Sequence, residues 1–184
     1  GVPSEQIAEG IRSFKGIRHR IEKVGQAQGV SYINDSKATN VDATVKALES
    51  VGGEVLLLLG GKDKGYDYDV LFEKIKRVSV VQAVLYGENR FKLLNSALRT
   101  QFDRITLCDD LETAVRFCFV LAKSGQTVLL SPASSSFDAF TGYEERGERF
   151  TSLVNELCEQ AVACEENIPL TMVEDDQDKD ERDE

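Results

Sequence analysis

The sequence predicts an α/β fold, a doubly wound and mostly parallel sheet of about five to six strands with helices on both faces. Three observations predict it. Short apolar runs alternate with helically patterned segments from residue 30 to residue 158. Two of those runs, 54–59 and 126–131, have almost no polar alternation, as expected of strands buried on both faces of a parallel sheet. Repeated β-α-β units of this kind close through right-handed crossovers, which wind helices onto both faces.

The elements follow in order. Gly1 to Phe14 reads as a loop and an amphipathic helix (Ile7, Ile11, Phe14) ahead of any strand. With no initiator methionine, this stretch reads as the edge of a larger protein, cut in or near a domain boundary. The first predicted strand is 30–34. Val41, Thr44, Val45 and Leu48 then recur at helical spacing with Asn40 as a natural N-cap, predicting a helix over 40–50. Strands at 54–59, 81–86, 104–107 and 126–131 alternate with helices at 68–77, 88–99 and 109–122. The last of these takes Asp109 or Asp110 as cap and has Leu111, Ala114, Val115, Cys118, Leu121 and Ala122 as its expected buried stripe. A final helix over about 143–158 carries Phe150, Leu153, Val154 and Leu157 on one side.

Charge and composition narrow the function. The net charge of −10 is concentrated in residues 165–184, which hold ten acidic and two basic side chains. Residues 1–164 hold 22 acidic against 20 basic, so the folded part is nearly balanced and has no basic stripe for nucleic acid. The acidic tail is too charged to pack and is expected to be disordered, as a solubilising extension or a functional acidic segment. No apolar run approaches a membrane span and no segment has the layout of a signal peptide, so a cytoplasmic protein is expected. Cys108, Cys118, Cys158 and Cys164 form no C-x-x-C pair. Buried free thiols are the bland reading of them, against metal binding or disulfides.

The chemistry collects in three loops that follow three strand ends and should open on one edge of the sheet. The densest is Asn34-Asp35-Ser36-Lys37-Ala38-Thr39-Asn40, which combines a carboxylate, a lysine and two hydroxyls just before a helix N-terminus. Free N–H groups and the helix dipole favour an anion there. The second is Gly60-Gly61-Lys62-Asp63-Lys64-Gly65, and the third runs from Ser131 to Asp138 with Ser134, Ser135 and Ser136. Together they offer Lys37 and Lys64 as cations and Thr39 and Ser136 as donors, suited to a phosphate or carboxylate ligand. The glycine loop is no dinucleotide fingerprint, and Asp63 stands where a P-loop needs Ser or Thr. Taken singly, a Gly-Gly turn, an exposed lysine and a serine run are each more often structural. His19, the chain's one histidine, invites a catalytic role, but a hydrogen-bonded hinge fits it better. Arg20 beside it could clamp a phosphate in bidentate fashion at a domain junction.

Four ordered strings carry a resemblance: Gly16-Ile17-Arg18-His19-Arg20, Tyr32 to Asn40, Gly60-Gly61-x-Asp63-Lys64-Gly65, and Leu130-Ser131-Pro132-Ala133-x-x-Ser136-Phe137-Asp138-x-Phe140 with Tyr143-Glu144-x-Arg146-Gly147-x-x-Phe150 behind it. From about residue 14 to 158 the chain resembles the Rossmann-like C-terminal domain of the Mur ligases, and within them those that add D-glutamate. The resemblance implies that residues 1–14 close a central ATPase domain or its linker. Residues 15–158 are then the C-terminal domain, and 159–184 an acidic tail that the family does not explain. It implies ATP-dependent joining of D-glutamate to UDP-N-acetylmuramoyl-L-alanine through an acyl phosphate in peptidoglycan precursor synthesis, with ADP as a product. ATP and Mg²⁺ would be held mainly by the central domain, leaving no catalytic residue and no metal ligand on this one. By position, Lys64, Thr39, Ser136, Phe137 and Tyr143 would meet D-glutamate; relatives often carry phenylalanine where Tyr143 stands. Arg20, Asp35 and Lys37 would face the nucleotide, with Asp35 suited to ribose hydroxyls or to orienting Lys37 or Arg20. The partners implied are the central and N-terminal domains of one monomeric enzyme. The fragment alone should be inactive. A sister Mur or folylpolyglutamate ligase with another acceptor is the near alternative, and a non-catalytic module binding nucleotide or an acidic metabolite is the alternative from another class. A nicotinamide-dependent dehydrogenase shares the fold class but lacks its fingerprint.

Overall fold

The computed structural model describes residues 1–13 and 16–166, with the side chains of 164–166 excepted. Phe14, the Cys164 side chain and the tail from 167 onward lie outside the described residues. Six strands form one sheet in the order β1-β2-β6-β3-β4-β5. They are β1 (Glu22–Ala27), β2 (Val30–Asn34), β3 (Val55–Gly60), β4 (Val80–Tyr86), β5 (Ile105–Leu107) and β6 (Thr127–Leu130). All neighbouring pairs are parallel except β1 with β2. The helices are α1 (Ser4–Ser13), α2 (Val41–Val51), α3 (Asp69–Ile75), α4 (Arg90–Arg99), α5 (Leu111–Leu121) and α6 (Tyr143–Glu166).

The doubly wound plan is visible in how the central strands divide their side chains. On β3, Val55, Leu57 and Leu59 join a core with α2, α3 and α4, while Leu56 and Leu58 join a second core with α5 and α6. A strand has period two, so only a run apolar at every position can fill both layers. Burying each leucine contributes roughly 1.5–3 kcal/mol. The expected caps form. Asn40 accepts from Ala43 N at 2.9 Å, and Asp110, the second of the two candidates, accepts from Thr113 N at 2.8 Å. Cys108 and Cys118 are buried free thiols and Cys158 is a half-buried one.

Two elements depart from the sequence reading. The first strand in the chain is β1, not 30–34, and it forms an edge hairpin with β2 through Gln28 and Gly29, both at positive φ. The strand is irregular between Lys23 and Gly25, and a Cβ on Gly25 would sit 2.6 Å from Val154 of α6. The last helix runs past residue 158 to Glu166, because Ala161 extends the Leu153, Val154 and Leu157 stripe by another turn. α1 buries none of its residues. No helix among the described residues is long and apolar enough to cross a membrane.

Candidate functional site

β2, β6 and β3 are adjacent and parallel, so the loops after them emerge at one edge. The chain leaves β2 and β3 for helices on one face and β6 for α6 on the other. That divergence opens a crevice at the carboxyl ends of the strands, the usual ligand position in open α/β sheets.

The first loop is a tight turn. Ser36 N donates to Asn34 Oδ1 at 3.1 Å, Ala38 N to Asp35 O at 2.9 Å, and Lys37 N to His19 O at 3.0 Å. His19 is buried, and its Nδ1 lies 3.1 Å from Asn34 Nδ2. That amide nitrogen also donates to Gly147 O at 2.9 Å, so Nδ1 acts as the acceptor. His19 is therefore a joint between the turn and α6. Asp35 is buried, with Oδ2 accepting from Ser131 Oγ at 2.8 Å and Oδ1 from Ile21 N at 3.4 Å. Burial pushes its pKa up to about 6, against the pull of Ser131, the Ile21 N–H and the Arg20 charge. Arg20, Asp35 and Lys37 line one cleft of about 210 Å³ together with Lys46 of α2.

The glycine loop is bound down by close contacts. A Cβ on Gly60 would lie 1.9 Å from Tyr86 O, and one on Gly61 2.2 Å from Ser135 O; both residues have positive φ. Gly60 N donates to Pro132 O at 3.0 Å and Lys62 N to Ser135 O at 2.8 Å, so the second and third loops are zipped together. Asn89 fastens the same joint, accepting from Gly61 N at 3.0 Å and donating to both Tyr68 Oη and Ser134 Oγ at 2.8 Å. Lys62 is paired with Glu88 and Asp63 with Lys92. Lys64 is exposed and makes no ion pair among the described residues. It is the free cation of this loop.

In the third loop Ser136 is buried, while Phe137 is 66 % exposed. Tyr143, at the start of α6, lies under Lys37, whose Nζ is 2.8 Å from Tyr143 Oη and 4.3 Å from the ring centroid. The groups read as a nucleotide set and an acceptor set are thus in direct contact at this pair. Thr39 is half-buried beside them.

Sequence reasoning did not assign Asn89, Lys46 or Arg146 to the site, and it gave no role to Ser131, the first residue of the third loop. Lys46 had a local signal, lying one helical turn beyond Ala43 on the face that continues the cleft. Arg146 stood in one of the family strings but no role was attached to it. A larger cleft, about 460 Å³, lies on the opposite face near Tyr86, Leu111 and Phe140. Its carboxylates are already engaged: Asp110 caps α5, Glu112 pairs with Arg116 and Arg149, Asp138 accepts from Glu88 N, and Glu145 binds Thr141. The smaller cleft, where Arg20, Lys37 and Lys46 surround the single carboxylate of Asp35, is the better site for an anion; Lys64, Thr39 and Ser136 do not line it. Among the described residues no group of three or more His, Cys, Asp or Glu could hold a metal ion.

A family model described as Mur ligase, glutamate ligase domain, matches residues 19–134. The UDP-N-acetylmuramoylalanine–D-glutamate ligase of Alkaliphilus metalliredigens is 43% identical over 157 residues, covering 85% of this chain and 34% of that protein. The chain thus spans about a third of the length of the curated relatives it matches. Among solved structures, the UDP-N-acetylmuramate-alanine ligase of Thermotoga maritima aligns with a TM-score of 0.59 at 10% identity, over 85% of this chain and 33% of that one. A bifunctional folylpolyglutamate synthase/dihydrofolate synthase from Yersinia pestis, complexed with AMPPNP and a Mn ion, aligns with a TM-score of 0.58 at 15% identity, over 83% and 35%. Those two likenesses are of fold.

Proposed function

The chain belongs to the Mur ligase family, and from that premise we propose that it is the domain that positions acceptor and nucleotide in an ATP-dependent D-glutamate ligase. The full reaction in this reading joins D-glutamate to UDP-N-acetylmuramoyl-L-alanine in the cytoplasm. The γ-phosphate of ATP passes to the alanyl carboxylate, the amine of D-glutamate attacks the acyl phosphate, and a tetrahedral intermediate collapses to the amide and free phosphate. Residues 1–14 close the central domain in this reading, and the ATP-activating machinery lies there.

This domain's share is binding and orientation. Lys64 pairs with a carboxylate of D-glutamate, Thr39 and Ser136 donate their hydroxyls, Phe137 donates its N–H, and Tyr143 flanks the acceptor. Arg20 and Lys37 meet phosphate charge, with Lys46 on the same cleft. Asp35, ionised at neutral pH with its pKa near 6, accepts from ribose hydroxyls or holds Arg20 in place. The donor set fits a nucleotide triphosphate, being rich in cations and N–H groups. Mg²⁺, when bound, neutralises the crowded phosphate oxygens, and in this reading its ligands belong to the central domain.

The observation that carries the proposal is the unpaired Lys64 on a glycine loop fastened to the serine loop, within a domain of this family. In the full-length protein, Lys64→Ala should raise the KM for D-glutamate about 10- to 100-fold, the cost of a lost charge-assisted hydrogen bond, with the KM for ATP little changed. Steady-state phosphate release checks it. A rise in the ATP KM with the acceptor KM unmoved would refute the assignment.

A further inference from the structure

Arg146, on the first turn of α6, is the largest fully buried side chain among the described residues. Its Nε donates to Ser36 Oγ at 3.0 Å, its Nη2 to Ser36 O at 2.8 Å and its Nη1 to Ser134 O at 3.1 Å. Ser36 lies between Asp35 and Lys37; Ser134 precedes Ser136 in the serine turn. A Cβ on Gly61 would stand 3.1 Å from Nη1, so the glycine loop also closes on the guanidinium. One planar group therefore touches all three loops of the crevice.

Its charge is what makes the arrangement unusual. All three acceptors are neutral oxygens, and no carboxylate comes within 4.0 Å of Arg146 among the described residues. Asp138 acts on it only from farther away, and the Tyr86 hydroxyl lies beside the guanidinium and interacts with it without a well-formed hydrogen bond. Burial without a paired anion is costly for a cation. A neutral amide or hydroxyl network could fasten two loops without that cost, as Asn89 does on the other side of the glycine loop.

We propose that Arg146 is the positioning residue of the crevice: its fork holds the Asp35–Lys37 turn and the Ser134–Ser136 turn in register, and its charge lies beneath them as a fixed counter-charge for an anionic ligand, the D-glutamate carboxylate. The inference rests on the ligase reading and deepens it by naming the group that preorganises the site. Arg146 does not touch the ligand; it acts through Ser36, Ser134 and its field.

The test measures D-glutamate and ADP binding to the full-length protein by calorimetry, with turnover recorded separately. Arg146→Lys keeps the charge but cannot make the three-way fork, and should weaken D-glutamate binding about tenfold with the fold intact by circular dichroism. Arg146→Ala should weaken it further, and millimolar guanidinium should restore at least part of the loss, whereas urea, its neutral isostere, should not. A folded Arg146→Lys protein that binds D-glutamate as the unsubstituted one does overturns the proposal. So does restoration by urea equal to that by guanidinium, which is the behaviour of a mere space-filler. If Arg146→Ala does not fold, the lysine variant decides. D-glutamate binding by the unsubstituted protein without turnover defeats the ligation reading and leaves the Arg146 comparison decisive; absence of D-glutamate binding defeats both.

Discussion

Asp35 concentrates the conflict between folding and function into one side chain. The residue is 4 % exposed, and burial raises its pKa to about 6, above the ordinary carboxylate value of 3.8. A carboxyl group with a raised pKa binds its proton more tightly in the folded state. Its contribution to stability is full below the unfolded pKa and is lost as pH rises through the folded one. Ionisation at neutral pH thus costs the fold on the order of 2–3 kcal/mol. Asp35→Asn mimics the protonated form, because Ser131 Oγ can turn to accept from the new amide while donating to Thr44 Oγ1, 3.2 Å away. The variant and the unsubstituted chain should have equal stability near pH 4. By pH 7 the variant should be the more stable by an amount approaching that cost. Urea unfolding midpoints across this range measure the difference, and a constant difference would show that Asp35 ionises without strain. The same substitution removes the negative charge that the proposed nucleotide site uses, so the destabilising residue is kept where binding needs it.

At the scale of elements, α6 fastens the site, and it approaches the first loop closely only because residue 147 is glycine. A Cβ there would stand 2.2 Å from His19 Nδ1 and 2.8 Å from its Cγ. Glycine inside a helix costs about 1 kcal/mol relative to alanine. Overpacking a tight joint costs roughly 1–3 kcal/mol. The clash involves a ring pinned by Asn34 and unable to retreat, so strain should win. Gly147→Ala is expected to lower the unfolding free energy by up to about 2 kcal/mol with an unchanged denaturant slope. A gain in stability would mean that His19 moves freely. The elements differ in how far the sequence revealed them. β3 and β6 were readable because burial on both faces demands uninterrupted apolar runs. β1 was not, since Glu22-Lys23-Val24-Gly25-Gln26-Ala27 pairs on one side only and carries charge along its edge. The three site loops were readable because their polar residues are contiguous. The groups that lock them were not, because Arg146 reaches a partner 110 residues away and Asn89 one 28 residues away. No local pattern encodes such a meeting.

For the whole molecule, the proposed reading combines a two-layered core in one chain with a reaction site that another domain completes. The two apolar clusters on either side of the sheet give the chain its own cooperative core. The proposed binding groups lie on three loops, but this sequence contains no G-x-x-x-x-G-K-[ST] motif to cradle ATP phosphates. Orienting an acceptor and activating a carboxylate are separable tasks, and in the proposed reading these residues supply the first. The 184-residue chain should therefore unfold cooperatively in urea and yet release no phosphate from ATP when given UDP-N-acetylmuramoyl-L-alanine and D-glutamate. The full-length protein under the same conditions should release phosphate with D-glutamate and not with L-glutamate, L-lysine or diaminopimelate. Release with another acceptor would keep the ligase chemistry and reassign the roles proposed for Lys64, Thr39 and Ser136. Turnover by the short chain alone would place the activating groups on this domain after all, and would require Arg20, Lys37 and Lys46 to do in one cleft what the proposal divides between two domains.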